Sequence, residues 1–279
     1  MELTLTVGLV IAALALVAEY MDSTLGMGYG TTLTPILLLM GYEPLQIVPA
    51  ILVSELITGL LAGFTHHYVG NVDFRPKTMN VVTIFRSIKL MGARESFVKG
   101  VPLALRVALL IGACSIVGSV AAIFVALSIP KFYLNLYIGV LILVIGFVII
   151  LTLKKEFRFS WKRTMALALV ASFNKGMSGG GYGPVVTGGQ ILAGVQEKNA
   201  VAITSLAEAL TCAVGISGYF ILQKTLDLQL APFLVAGAII SVPFSALTVR
   251  EINLRHMRLI IGISTIVLGV MALVKLFMG

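Results

Sequence analysis

Lys175 is the residue of this sequence whose type and position most directly indicate chemistry. It lies four residues before Gly179, in a segment that is apolar over most of its length. A lysine at the centre of a transmembrane helix costs about 2.5–3.5 kcal/mol on insertion scales, so a functional role is the default explanation. The buried ammonium predicts an anion site, to which Asn174 and Ser178 would add hydrogen-bond donors.

Two glutamates have matching sequence surroundings. Glu55 is followed by Thr58, and Glu208 by Thr211 at the same spacing, so each pair lies on one helical face. A carboxylate in apolar surroundings is a candidate proton carrier, and its protonation would lessen the repulsion of a bound anion. The alternatives are a structural hydrogen bond to neighbouring loops and an ion pair with Lys175.

Two glycine-rich segments supply the remaining candidate groups. They are Gly26-Met27-Gly28-Tyr29-Gly30-Thr31-Thr32 and Ser178-Gly179-Gly180-Gly181-Tyr182-Gly183-Pro184. Several glycines within the membrane leave backbone amides outside a helix, which is tolerated where they line a cavity or bind a ligand. A helix that begins after each segment would direct its N–H groups and positive dipole end at an anion. Close helix packing through small residues is the alternative.

The elements that must position these residues are membrane helices. The chain has 279 residues, of which 58% are hydrophobic and 11% charged, and this composition excludes a water-soluble globule. Its apolar runs are continuous, so an outer-membrane barrel is excluded as well. Runs long enough to cross a bilayer occur near 45–69, 101–127, 131–152, 198–222, 229–249 and 256–277.

Two further regions read as interrupted elements. Residues 3–20 and 163–177 each precede a glycine cluster and then a short apolar run, 31–40 or 184–194. A shift of 153 positions superimposes 26–58 on its counterpart without a gap and gives ten identities in 33 positions, where about three would arise by chance. The chain therefore predicts a repeat over 1–152, a linker over 153–162 and a second repeat over 163–279. The counterpart of Lys175 is Asp22, which we expect in an exposed loop.

Basic segments predict the orientation of the repeats. Lysine and arginine cluster in 71–99, 153–163 and 250–258, which the positive-inside rule places in the cytoplasm. Each repeat then has three net crossings, which inverts the second copy and puts both termini outside. The fold class is an all-α polytopic protein with two inverted repeats, each with a broken or re-entrant pair of short helices and three full spans. Residues 79–91 predict an amphipathic helix on the cytoplasmic surface.

The net charge of +8 is explained by these loops rather than by nucleic-acid binding. His66, His67 and His256 adjoin basic segments without further ligands at metal spacing, so they read as interfacial residues. Cys114 and Cys212 lie in apolar runs and read as packing residues. No metal site or cofactor is predicted.

Two rival functions share these motifs. Gly176-Met177-Ser178-Gly179 has the Gly-x-Ser-Gly form of an intramembrane serine protease, but no later span carries a histidine at depth to act as base. The sequence therefore predicts no enzyme. The paired Gly-Tyr-Gly motifs are similar to potassium-channel filters, and a homodimer would supply four of them. Lys175 beside one motif would repel cations, so a cation channel is the weaker alternative, and the sequence leaves a homodimer open.

The whole pattern resembles the TauE/SafE family of sulfite exporters, also called the TSUP transporters. The resemblance rests on the paired glycine-rich loops, on Gly41 and Gly194 after each short helix, and on the central basic linker. It implies a bacterial-type inner-membrane exporter of sulfite or organosulfonates, with proton coupling and alternating access. Another small carboxylate or inorganic anion remains the alternative substrate.

The same resemblance implies a set of anion-contacting residues. The first loop departs from the pattern, because Met27 stands where the second loop has Gly180, so equal contributions from the two halves are not assured. The anion-contacting set is Gly28, Tyr29, Gly30 and Thr31 in the first half, and Asn174, Lys175, Ser178, Gly179 and Tyr182 in the second, with Gly181 and Gly183 completing the second loop.

Overall fold

The structure is a computed structural model that describes residues 4–78, 80–152, 160–192, 195–223, 226–249 and 254–278. These residues form helices joined by short turns, and they contain no strand. The helices are α1 (Leu5–Leu25), α2 (Tyr29–Leu39), α3 (Pro44–Tyr68), α4 (Val81–Met91), α5 (Ala93–Gly100), α6 (Leu103–Ser128), α7 (Lys131–Leu151), α8 (Trp161–Ser178), α9 (Tyr182–Leu192), α10 (Glu197–Gln223), α11 (Ala231–Thr248) and α12 (Leu254–Met278).

The six predicted spans correspond to α3, α6, α7, α10, α11 and α12. Among the described residues, five helices are long and apolar enough to cross a membrane: α1, α3, α6, α10 and α11. The α1 helix continues past the run expected over 3–20, because it has 21 residues and ends at Leu25. Its polar last turns remain helical since the Ser23 and Thr24 hydroxyls bond to groups one turn earlier, the Glu19 carboxylate and the Tyr20 carbonyl.

Glycines at equivalent positions produce the two predicted interruptions. Gly26 ends α1 at φ 66° and Gly179 ends α8 at φ 71°, both in the left-handed region that favours glycine. Gly28 and Gly181 also have positive φ, and α2 and α9 begin at the residues that follow them. The broken elements are therefore two helix pairs, α1–α2 and α8–α9.

Helices from the two halves of the chain pack as equivalent pairs. The α1 helix packs on α11 as α8 packs on α6, and α3 packs on α11 as α10 packs on α6. The remaining large contacts join α3 to α10 and α7 to α12. Two repeats related by a twofold axis would give this pattern, in which a helix of one half packs on a helix of the other and their equivalents pack in the same way. The repeat boundaries stay a prediction, and both 153–159 of the linker and Gly194 lie outside the described residues.

Small residues allow these helices to approach closely. A Cβ on Gly237 of α11 would lie 1.9 Å from the Ala12 carbonyl oxygen of α1, and one on Gly59 of α3 would lie 2.8 Å from the Ser205 carbonyl oxygen of α10. Lipid gives no hydrophobic drive for helix association, so van der Waals packing between such surfaces supplies much of the stability.

The helix predicted over 79–91 is α4, which begins at Val81, while Met79 lies outside the described residues. Val82, Phe85 and Leu90 are exposed on α4. This segment lies between α3 and α6.

Candidate functional site

Lys175 lies at the centre of a buried ion-pair cluster. Its side chain is 1% exposed, and its ammonium contacts the carboxylates of both Glu55 on α3 and Glu208 on α10. The Glu208 Oε1 atom accepts a hydrogen bond of 2.6 Å from Lys175 Nζ. The ion pairing that the sequence left as an alternative is thus present with both glutamates, one from each half of the chain.

The cluster has more acceptor capacity than one ammonium satisfies. With both glutamates ionised, three charged groups carry a net charge of −1. Glu55 Oε1 is buried and has no hydrogen-bond partner among the described residues. A buried acceptor without a partner is costly, so this oxygen is a place for a proton or a donor.

The two glycine loops meet directly. Thr34 donates to the Ser178 carbonyl at 2.8 Å, and its counterpart Thr187 donates to the Gly26 carbonyl at 2.6 Å. A Cβ on Gly30 would lie 1.7 Å from the Gly179 carbonyl oxygen, so the two backbones touch. Close packing, which the sequence left as an alternative for these glycines, is therefore part of the arrangement.

Several loop amides are already hydrogen-bonded. Tyr29 N–H donates to Asp22 Oδ1 at 3.3 Å, and Gly181 N–H donates to Thr31 Oγ1 at 3.4 Å. A ligand at these amides would have to replace such bonds. In this conformation the loops close over one another.

The two tyrosines of the Gly-Tyr-Gly motifs extend toward α3 and α10. Tyr29 OH lies 2.6 Å from Ser54 Oγ, and Tyr182 OH accepts a hydrogen bond of 3.2 Å from Thr211. Both rings are fully buried. They fix each broken helix pair to the neighbouring span.

The predicted site residues converge on one buried region. Asn174 accepts a hydrogen bond of 2.6 Å from Tyr137 OH, and Ser178 Oγ accepts one of 3.1 Å from Gly180 N–H. All the predicted side-chain candidates in this region are less than 9% exposed: Tyr29, Thr31, Glu55, Asn174, Lys175, Ser178, Tyr182 and Glu208. The conformation is therefore closed to solvent at the ion pairs.

The expectation that Asp22 lies in an exposed loop is wrong. Asp22 lies in the last turn of α1 and is 6% exposed. The helix continues past it because the break comes at Gly26, and its carboxylate caps the start of α2 through Tyr29 N–H. A buried carboxylate thus stands where the second half has Lys175.

Glu19 is a site residue that the sequence left unassigned. It is 2% exposed, and its two carboxylate oxygens accept hydrogen bonds from Ser23 at 2.5 Å and Thr58 at 3.0 Å. Its counterpart at the same offset is Ser172, so the repeat gave no signal for it. Its burial within an apolar helix was the available signal.

His66 corrects the interfacial interpretation. It is 0% exposed, with Nε2 2.9 Å from the Ser23 carbonyl and Nδ1 3.0 Å from Asn71 Nδ2. Because α1 extends to Leu25, its C-terminal turns cover this ring. His67 is partly exposed near Asp73, and His256 is exposed. Within the described ranges, no group of three or more His, Cys, Asp and Glu side chains could hold a metal ion.

The fold and the buried charges define a polytopic α-helical membrane protein of the transporter class. The model of the sulfite exporter TauE/SafE family matches residues 11–88 and 77–272, so the chain belongs to this family. A relative, the probable membrane transporter protein YtnM of Bacillus subtilis (strain 168), is 28% identical over 268 residues, which are 91% of this chain and 78% of that protein. No solved structure matches the chain.

Proposed function

We propose that this membrane transporter carries small sulfur-containing anions, such as sulfite or organosulfonates, by proton-coupled alternating access. Export across a bacterial-type cytoplasmic membrane is the direction and place that we assign to it. Lys175 is the anion-binding cation, and Glu55 and Glu208 are the coupling residues. The observation that carries this proposal is the single buried ammonium held between one glutamate from each half of the chain.

An anion can bind Lys175 when the ion pair between Lys175 and one glutamate breaks. Protonation of Glu55 or Glu208 neutralises one of the two carboxylates that contact the ammonium. The oxygens of a sulfite or sulfonate group then take the place of that carboxylate beside Lys175. The ammonium always keeps an anionic partner, which avoids the cost of an unpaired buried charge. One proton and one monovalent anion bind together, so the net charge of the cluster is unchanged. An outward gradient of the anion then drives both of them out of the cell.

The contacts between the two glycine loops are the ones that change when the repeats move against each other. The hydrogen bonds from Thr34 and Thr187 join the two halves at equivalent positions. Opening toward one side breaks contacts on that side and keeps those on the other, as expected when one repeat rocks against its partner. The same symmetry supports both termini on one side of the membrane, and the basic segments favour the outer side.

The test is thermal stabilisation of the purified protein by a panel of ligands. Sulfite, sulfoacetate and taurine should raise the unfolding temperature more than acetate or sulfate at the same concentration. Stabilisation by acetate alone would favour a carboxylate transporter. A reversal potential in vesicles that follows the potassium gradient would instead establish a cation channel and overturn the proposal.

A further inference from the structure

A chain of polar contacts leads from the middle of α1 to the end of α3, and the proposed anion exchange does not use it. Thr58 and Ser23 donate to Glu19, and the Ser23 carbonyl contacts His66 Nε2. Asn71 donates to His66 Nδ1 from the turn after α3. Because that nitrogen accepts, Nε2 carries the ring proton and donates to the carbonyl.

The second half of the chain has an equivalent hydrogen bond from a side chain to a backbone carbonyl, but its groups do not titrate near neutral pH. Tyr219 OH donates to the Gly176 carbonyl at 2.8 Å, and these residues lie 153 positions after His66 and Ser23. The counterpart of Glu19 is Ser172, which bonds to the Ala168 carbonyl and Ser115. A phenol and a hydroxyl do not take up protons in the neutral range. The packing is therefore alike in both halves, whereas at these positions only the first half has groups that take up protons in the neutral range.

We propose that Glu19, Ser23 and His66 form a proton relay between the ion-pair cluster and the end of α3 that adjoins the basic segment 71–99. This inference rests on the proposed function, because it gives the coupling proton a route from the end of α3 as far as Glu19, whose charge acts on the ion-pair cluster. His66 is fully buried, Asn71 is 6% exposed, and the exposed Asp73 follows two residues later. The relay therefore needs only a small movement of Asn71 to reach water.

The transfer is balanced at each atom. A cytoplasmic proton binds His66 Nδ1 when Asn71 moves aside, which gives the imidazolium. Rotation of the Ser23 side chain then lets its hydroxyl receive the Nε2 proton while it passes its own proton to the Glu19 carboxylate. Glu19 becomes a carboxylic acid, Ser23 is unchanged, and His66 is left neutral with its proton on Nδ1.

Charged groups on the neighbouring helices connect this relay to the anion site. The charges of Glu208 on α10 and Lys175 on α8 both act on Glu19. Asp22 on α1, Tyr29 on α2 and Glu55 on α3 are further ionisable groups on which the charge of Glu19 acts. Thr58, which donates to Glu19, lies one turn after Glu55 on the same helix. A proton on Glu19 thus changes the field at the ion pairs.

A pH step followed by infrared spectroscopy tests the relay without any substrate. The carboxylic-acid band that Glu19→Gln removes should reach its new amplitude at least tenfold more slowly in His66→Tyr than in the natural protein. Tyrosine keeps the hydrogen bond that Tyr219 makes in the other half, so the packing is matched. The control Tyr219→Phe should keep the natural rate. An unchanged rate in His66→Tyr, or no band that depends on Glu19 at any pH, would overturn the relay.

Transport in vesicles separates this inference from the proposed function. Sulfite counterflow, which needs no net proton movement, should persist in His66→Tyr, while the lumenal pH change driven by a sulfite gradient falls at least tenfold. Failure of the natural protein to move sulfite would count against the proposed substrate, and the infrared result would still decide the relay. Sulfite movement without protons in the natural protein would overturn the relay and the coupling together.

Discussion

At the residue scale, the chemistry depends on one cation shared by two carboxylates. A buried ion pair is weak evidence for stability, because the cost of desolvating both charges offsets their attraction. In the proposed mechanism its value lies in exchange, since Lys175 would leave one carboxylate for an anionic ligand at little net cost. Glu55 has the oxygen without a partner, which makes it the better candidate of the two glutamates to hold a proton.

Replacing Lys175 with methionine should abolish stabilisation by sulfoacetate. Methionine fills the space without charge and leaves two carboxylates facing each other, so the free energy of unfolding should fall by about 3–5 kcal/mol. Thermal unfolding with and without ligand measures both effects.

Two further variants distinguish the loss of the lysine's charge from a general loss of stability. Lys175→Met combined with Glu55→Gln and Glu208→Gln removes all three charges, so stability should recover while ligand stabilisation stays absent. Lys275→Met is the matched control, because Lys275 donates to the Leu38 and Leu39 carbonyls outside the cluster. Ligand stabilisation that survives in Lys175→Met would remove this lysine from the site.

The double substitution of Glu55 and Glu208 to glutamine should uncouple anion binding from pH. In the natural protein, sulfoacetate should bind more tightly as the pH falls, because a protonated glutamate no longer competes for Lys175. Glutamine imitates the protonated state at every pH, so binding should persist and lose most of its dependence on pH, with only the weaker effect of Glu19 left. Titration of ligand affinity between pH 5 and 8 is the measurement, and a slope of undiminished size in the double variant would reject the coupling role.

At the scale of elements, glycine sets both where the helices end and how closely the loops approach. Gly26 and Gly179 stop α1 and α8 in a conformation that residues with a Cβ rarely adopt. Gly30 and Gly183 then bring the start of each second helix against the loop of the other half. The broken pairs are therefore positioned by contact with one another as well as by their own spans.

Alanine at Gly30 should lower the free energy of unfolding by about 1–3 kcal/mol, the usual cost of overpacking. The new Cβ would lie 1.7 Å from the Gly179 carbonyl oxygen, so the loops must separate. Gly100→Ala is the control, because a Cβ there meets nothing within 4 Å. Thermal unfolding of the two purified variants compares them, and equal stability would show that the loops do not need this close approach.

At the scale of the whole molecule, the equivalent pairs α1–α11 and α8–α6 enclose the crossing of α3 and α10. The ion pairs lie at this crossing, where both halves contribute. In the proposed mechanism, either side opens around this fixed site. The family assignment agrees with a membrane transporter.

Single cysteines should report that both termini face outward. In a background with Cys114 and Cys212 changed to alanine, Thr4→Cys and Met278→Cys should react with an impermeant maleimide in intact spheroplasts. Lys77→Cys should react only after permeabilisation, because the positive-inside rule predicts that the basic segment faces the cytoplasm. Labelling of Lys77→Cys in sealed spheroplasts would show that the orientation is the reverse of the predicted one.

Much of the fold could be predicted from local patterns. Apolar run length predicted six of the long helices, four of which are long and apolar enough among the described residues to cross a membrane, and glycine clusters predicted the two breaks. Both signals depend on short stretches of chain. The full length of α1 was not predictable in this way. Asp22, Ser23 and Thr24 look like loop residues in sequence, but burial and bonds one turn back keep them helical.

For the site, the residue types were readable and their partners were not. Lys175, Glu55 and Glu208 stand out because charged side chains are expensive in a membrane. His66 looked interfacial because its neighbours in sequence are polar, while its actual environment is set by α1.

Composition, run length and the internal repeat by themselves determined a membrane-embedded helical protein with two interrupted elements and an intramembrane lysine. Only the tertiary structure decided that this lysine contacts both glutamates at once, that the glycine loops close on one another, and that Glu19 and His66 meet around Ser23. The physical reason is that helix formation and membrane insertion follow from contiguous sequence. Charge pairing and hydrogen bonding depend instead on which helices cross, and that is fixed by packing between distant segments.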